Sequence, residues 1–344
     1  MKNPENPTGQ AAPDDSASTE GALHWSGHKE QAAGYWQLKF VLVLFRILPA
    51  IVLRLTAFAV GFFYFIFSKR ARTESRRFLD TAAPFIEDKK IRKKCRSCFG
   101  SLWHIISFSL SLIEKVQSWG GRFSFKNLRF HDDDRDELVG ELEDGKGALL
   151  IFSHLGNSEL LRGLLFLDKT GVSRSIHVTS IIDMKITAHF RRMLNELNER
   201  SSMDIIGGDE IGSGTAVLLE ERLAAGGLVV ITGDRTPASG GTNINIPFFG
   251  KDAPFPQGVF YLASLLNAPV YLIFGMRQKA LSLNPKYDMY VHKSRLSFDC
   301  SRKERLQRSA QLAESFAAYL ESYCKKQPFQ WYNFYDFWNG GDKK

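Results

Sequence analysis

Two stretches place proton-transfer and anion-binding groups at the ends of apolar runs. In IFSHLGNSELLRG, residues 151–163, a buried-strand pattern ends at Ser153 and His154 follows it. Asn157 or Ser158 then stands where a helix cap belongs, just ahead of Glu159. An imidazole at a strand end, with a carboxylate five residues on, makes a general base for a hydroxyl nucleophile. The carboxylate fixes the tautomer and stabilises the imidazolium that forms. His154 and Glu159 would not share a face of one continuous helix, so the pairing requires His154 on a loop. Helix amides near 157–159 would then face the oxyanion of an attacked carbonyl. The competing reading of so short a spacing is two unrelated structural residues.

The second stretch is VVITGDRTP, residues 229–237, where another apolar run delivers Gly233, Asp234 and Arg235 to the same kind of edge. A guanidinium there can grip a phosphate bidentately, or Asp234 and Arg235 can close a turn on themselves. A third segment, IPFFGKDAPFPQGVFYLA at 246–263, puts Phe255 and Pro256 before a helix that starts near Gln257-Gly258. Those residues either pack the core or wall an acyl channel.

Elements that could position these groups follow from periodicity. Short β-rich runs at 148–152, 175–179, 228–232 and 270–276 alternate with amphipathic stretches at 159–167, 184–199 and 258–266. Such alternation predicts an α/β domain, with a mainly parallel mixed sheet flanked by helices. A final helix is expected over 302–326, with Leu306, Ala310, Ala313, Phe316, Leu320 and Tyr323 on one stripe. Residues 72–119 read as helical throughout.

Ahead of these, residues 38–68 hold the most apolar part of the chain; carried from Phe67 back to Ile47 it reaches 21 residues and takes in Pro49 and Arg54. The uninterrupted run 55–67 is 13 residues, short of the roughly 20 that span a bilayer. A kinked single span with Arg54 snorkelling, an in-plane hairpin in one leaflet and a buried core helix all fit. Lys69, Arg70, Arg72, Arg76 and Arg77 follow at once, which by the positive-inside rule places the rest of the protein in the cytoplasm. The division expected is a disordered tail at 1–23, a helical membrane-associating region at 24–120 and an α/β domain at 121–344.

Charge agrees with lipid more than with nucleic acid. The net +8 is concentrated between Lys69 and Cys98, where eleven Lys/Arg meet four Asp/Glu beside the apolar run. No nucleic-acid-binding motif accompanies it. Of Cys95, Cys98, Cys300 and Cys324, only the first two form a CxxC, and no further Cys or His pair completes a metal set. No metal or cofactor is expected. IIGGDEIG at 205–212 imitates a cyclase signature, but Ile211 stands where that signature has Phe and the context reads as a loop before a helix.

From about His24 to Trp338 the chain resembles the lysophospholipid acyltransferase superfamily, in its lipid A late acyltransferase branch of lauroyl and myristoyl acyltransferases. The resemblance rests on His154–Glu159 as an H-x4-E element, Gly233-Asp234-Arg235, FFGKDAPFPQG and the closing WYNFYDFW. It implies that His154 is the catalytic histidine and Glu159 its acidic partner. Asn157, Asp234, Arg235, Phe255 and Pro256 would be substrate-binding. It also implies acyl carrier protein or acyl-CoA as donor, a lipid or glycolipid acceptor, and the cytoplasmic face of a bacterial inner membrane. The GDR wording departs from the more acidic motif usual in lipid A enzymes, and it bears on the acceptor. The rival expectations are a non-enzymatic membrane-anchored lipid-binding or assembly protein, and a glycerophospholipid acyltransferase.

Overall fold

The computed structural model describes residues 43, 47–119, 123, 125–131, 134–157, 160, 172–182, 203–207, 212–235 and 241–339. The chain first builds a helical layer. Helix α1, Ala50–Phe67, starts directly after Pro49, and Ser68 accepts the Ala71 N–H to open α2, Lys69–Ala82. A 3-10 turn over Ala83–Phe85 follows, and Asp88 then caps α3, Lys89–Arg96, through the N–H groups of Lys90 and Ile91. Helix α4 is Gly100–Trp119.

The expected continuous helix over 72–119 is therefore three helices. Pro84 lacks the N–H a longer helix needs, Asp88 caps a new one, and the chain turns again at Ser97–Phe99. At that second turn Gly100 sits so close to the Cys95 carbonyl that an added Cβ would lie 2.7 Å from its oxygen.

The sheet strands are β1 (Leu128–Phe130), β2 (Ala148–Gly156), β3 (Val178–Ile182), β4 (Met203–Gly207) and β5 (Leu228–Thr232). A separate hairpin joins β6 (Asn243–Phe248) to β7 (Lys251–Pro256), and β8 (Val270–Arg277) and β9 (Tyr287–Lys293) return to the sheet. Helices α5 (Asp134–Glu143), α6 (Ser213–Ala224), α7 (Gln257–Leu265) and α8 (Arg302–Lys326) connect or flank them. The order is β1-β9-β8-β2-β5-β3-β4. Pairings from β8 through β4 are parallel, β8–β9 is antiparallel, and β1 runs parallel to β9. The mostly parallel mixed sheet anticipated from the alternation is present, with a reversed edge pair.

Both faces of the sheet are covered, which is why its central strands read as unbroken apolar runs. Along β2, Leu149 and Ile151 join the core beneath α2, α6, α7 and α8, while Leu150 and Phe152 join the opposite one with Leu138 and Leu142 of α5. Helix α8 has the expected bounds and, over most of its length, the expected face: Ala313, Phe316, Leu320 and Tyr323 are buried, with Leu312 beside them, while Leu306 at the start of the stripe is exposed. The FFGKDAPFPQG segment is a hairpin as well as a helix entry, because Phe249 and Gly250 both adopt positive φ (51° and 71°) in its two-residue turn. The stretches expected as helices at 159–167 and 184–199 lie outside the described residues, apart from Leu160.

Helix α1 lays Leu53, Ala57 and Gly61 against α4, with Gly61 so close that a Cβ would meet Ser109 Oγ at 2.9 Å. Arg54 turns toward the protein and donates Nη1 to the Leu283 carbonyl at 2.5 Å, instead of reaching outward to headgroups. Arg72 donates to the free carbonyls of Phe65 and Ile66 at the other end of α1, where a cation complements the helix dipole.

Candidate active site

Parallel strands deliver their C-terminal ends to one edge, and neighbouring strands set which residues meet there. Strand β2 pairs with β5 from Ala148↔Leu228 to Phe152↔Thr232, so the residues just beyond Phe152 and Thr232 are forced together. They are His154 and Asp234. His154 Nδ1 lies 2.7 Å from Asp234 Oδ1, and the His154 backbone N–H donates to Asp234 Oδ2 at 2.7 Å. Gly233 permits this approach. Its N–H donates to the Phe152 carbonyl, and an added Cβ would meet Ile151 Cγ2 at 2.8 Å.

Strand β2 does not stop at Ser153. It continues to Gly156, but its register against β8 shifts between Phe152 and Gly156, which aims His154 away from the ladder. Gly156 takes φ 63°, and a Cβ there would lie 2.0 Å from the Gly275 carbonyl oxygen.

The third side of the site is a strap, the segment 331–338. Trp331 forms an isolated antiparallel bridge with Leu155, and the Tyr332 N–H donates to the His154 carbonyl at 3.2 Å. The fully buried Trp331 indole donates Nε1–H to Asp234 Oδ2 at 3.1 Å, and Arg235 donates Nη2 to the Tyr332 carbonyl at 3.1 Å. The segment is pinned from behind by α4. His104 Nε2 lies 2.9 Å from the Trp331 carbonyl oxygen, and Ser107 Oγ lies 2.9 Å from the Tyr332 hydroxyl. Phe78, Phe248 and Phe337 surround the indole at ring separations of 4.9, 5.2 and 4.8 Å.

These contacts fix the protonation state. Asp234 has 0 % side-chain exposure while His154 keeps 23 %, so the acid is sealed and the imidazole is reachable. Burial, reinforced by the charge of Arg235, holds His154 below the usual histidine range although Asp234 pulls the other way. Burial alone would raise Asp234, but His154, Arg235 and the His154 N–H outweigh it and hold the carboxyl below its usual range. A carboxylate accepts only, so Nδ1 carries the proton and Nε2 presents a lone pair. A neutral imidazole so oriented accepts a proton at Nε2, and the imidazolium that forms is stabilised by a buried anion.

The residue pattern of the bacterial lipid A biosynthesis acyltransferase family matches this chain over residues 24–339. The chain belongs to that family. It is accordingly an acyltransferase of lipid biosynthesis, with an acyl donor and a lipid acceptor as its substrates. No curated protein matches the chain.

The acyltransferase brings only part of the expected set together. His154, Asp234 and Arg235 converge, whereas Glu159 lies outside the described residues. The carboxylate seen on His154 Nδ1 belongs to Asp234, a residue expected to bind substrate. Asn157 is buried beside them. Its N–H donates to the Gly275 carbonyl at 2.8 Å and its Nδ2 to the Ser111 carbonyl at 3.4 Å. The Asn157 N–H and Nδ2 are therefore engaged by neighbouring carbonyls, and the other amides expected to face an oxyanion, at 158 and 159, lie outside the described residues. Phe255 is packed among Phe248, Phe316 and Phe337, and Pro256 ends β7 with its side chain buried. Trp331, Tyr332 and His104 were not anticipated as site residues. The one available signal was the aromatic density of WYNFYDFW. Among the described residues no cluster of His, Cys, Asp and Glu could hold a metal ion.

Proposed function

We propose that this acyltransferase moves a fatty acyl group from an acyl thioester, carried by acyl carrier protein or CoA, to a hydroxyl of a lipid or glycolipid acceptor. The site of action is the cytoplasmic face of a bacterial inner membrane. The observation that carries the reading is the 2.7 Å His154 Nδ1–Asp234 Oδ1 contact, at the sheet edge where ligands of parallel folds bind.

The acceptor hydroxyl donates to Nε2 of His154, which takes its proton while Asp234 stabilises the imidazolium. The hydroxyl oxygen bonds to the thioester carbonyl carbon, and the tetrahedral adduct collapses with loss of the thiolate. The thiolate takes the proton back from His154, so no covalent acyl-enzyme is needed. Arg235 has one donor on the strap at Tyr332 and presents its charge beside His154, where a phosphate of donor or acceptor would be held. Glu159 remains in the proposal as a second acidic group acting on His154. Asn157, Phe255 and Pro256 enter it as the packed backing of the substrate channel.

The test is transfer by purified full-length protein from an acyl thioester to lipids of a deletion strain, with mass spectrometry of the products. His154→Ala is expected to lower turnover by about 10²–10⁴ with unchanged expression and membrane binding. Near-parental turnover by that variant would reject His154 as the base.

A further inference from the structure

The outer side of α1 is a continuous apolar surface. Leu55, Val60, Phe62, Phe63, Tyr64 and Ile66 are exposed on it, and Phe67 at its end reaches 81 % exposure. Exposed apolar surface on this scale marks a partner or a membrane. Eighteen residues rise about 27 Å, so length alone would let α1 cross a bilayer. Its packing argues otherwise. Helix α1 runs antiparallel along α4, with Gly61 against Ile106 and Ser109, and Leu53, Ala57 and Gly61 all facing inward.

Helix α4 is in turn tied to the catalytic layer along most of its length. His104 and Ser107 bond the strap at Trp331 and Tyr332, and Glu114 accepts from Arg277 Nη2 at 2.5 Å and from the Tyr287 hydroxyl. A crossing α1 would draw these buried polar groups and the sheet edge into hydrocarbon, where polar groups cost several kcal/mol each.

The second observation is charge. Helix α3 reads KKIRKKCR, six basic residues in eight. Lys89, Lys90, Lys93, Lys94 and Arg96 are exposed; Asp88 accepts the Lys90 backbone N–H, but among the described residues no acidic side chain forms an ion pair with any of these five side chains. Exposed Phe99 and Cys98 follow directly. Helix α3 leads into the start of α4, and Ser101 there bonds the Arg72 carbonyl. Because α1 and α4 are antiparallel, the basic helix lies at the Phe67 end of α1. His154 lies beside the middle of α4, between His104, which meets Trp331, and Ser111, which meets Asn157.

From these placements we infer that α1 lies in the plane of one leaflet with only its outer face in lipid, while α3 grips anionic lipid headgroups at its C-terminal end. The inference deepens the membrane reading above and is independent of whether His154 is the base. It leaves the catalytic edge resting on the surface that carries the acceptor, with no segment of α1 exposed on the far side.

Two measurements on full-length protein test it. Spin labels on cysteine variants at Leu55, Phe62 and Phe67, in vesicles of phosphatidylethanolamine and phosphatidylglycerol, should report one shallow depth. A profile that deepens to the bilayer centre and rises again toward the far leaflet overturns the in-plane pose. Separately, Lys90→Gln/Lys93→Gln/Lys94→Gln should lower partitioning into those anionic vesicles about a hundredfold at low salt, at some fivefold per basic residue. Partitioning into neutral phosphatidylcholine vesicles should stay as it was, as should transfer from a soluble acyl-CoA in detergent. Unchanged anionic binding overturns the role of α3. Unchanged binding with loss of transfer from carrier-protein thioester alone would make α3 a protein dock, and overturns it equally.

Discussion

Replacing Asp234 by Asn tests the site most sharply, because its neighbours leave the amide one orientation. Oδ2 receives two fixed donors, the His154 backbone N–H at 2.7 Å and Trp331 Nε1–H at 3.1 Å. The Asn carbonyl oxygen must occupy that position, since an NH2 there would face two N–H groups. The NH2 then falls where Oδ1 was, against His154 Nδ1. A donor at that place forces Nδ1 to accept and moves the ring proton to Nε2, so the base has no lone pair for substrate. Loss of the charge-assisted bond alone is worth about 1.5–3 kcal/mol, and enforcing the wrong tautomer raises the total toward 10⁴ in rate, about 5.5 kcal/mol. The fold should persist, because both fixed donors keep an acceptor. The assay is thiol release from acyl-CoA with the acceptor lipid in detergent, beside a melting curve and a 15N-histidine tautomer measurement. A fall of 10³–10⁴ in kcat with little change in KM is expected. If Asp234→Asn stays within tenfold of the parent while Glu159→Gln abolishes transfer, the orienting acid is Glu159 and the reasoning fails.

Trp331→Phe keeps most of the ring packing but removes the donor to Asp234, so a loss of about tenfold in kcat is expected, with the melting temperature lowered by only a few degrees; unchanged kcat at every pH would show that the indole merely packs. The acid limb of kcat/KM should fall below pH 6.5, because burial and Arg235 lower His154. Arg235→Gln should move that limb upward and Arg235→Lys should not, and coincident profiles for all three proteins would contradict the assigned cause. His104 is buried and its pKa is pushed down to about 4, so the fold holds it neutral. Its stabilisation is complete above the unfolded value near 6.5 and is lost as pH falls from there toward 4, a swing of about 3 kcal/mol. Denaturant midpoints between pH 7 and 4.5 should decline more steeply for the parent than for His104→Gln, and parallel declines would refute it.

Sequence periodicity resolves the elements whose pattern is local. Strand β5 has the bounds its apolar run implies, since burial on both faces leaves no polar interruption to shift an end, and helix α8 has those its amphipathic stripe implies. What is not local is not legible. His154 and Asp234 lie 80 residues apart, and only the neighbouring of β2 and β5 joins them. Glu159 is near in the chain and so attracts the pairing when strand order is unknown. Trp331 is further away still, and nothing in an indole's type distinguishes a hydrogen-bond donor to a buried acid from core packing. The hairpin at 243–256 is missed for another reason. Its turn is Phe249-Gly250, and a Phe at positive φ is not a residue any turn rule proposes; a bond from its N–H to Glu321 Oε2 at 2.6 Å helps hold it there.

The strap has a consequence for how the enzyme is born. During synthesis the sheet strands that carry His154 and Asp234 emerge well before Trp331 and Tyr332, so a nascent chain can stack its strands while the buried acid lacks one of its three donors. Completion of the site is deferred until Trp331 and Tyr332 dock onto His104 and Ser107. A product that ends before Trp331 lacks the indole donor to Asp234, and the acid gains its full set of donors only after the segment has docked on α4.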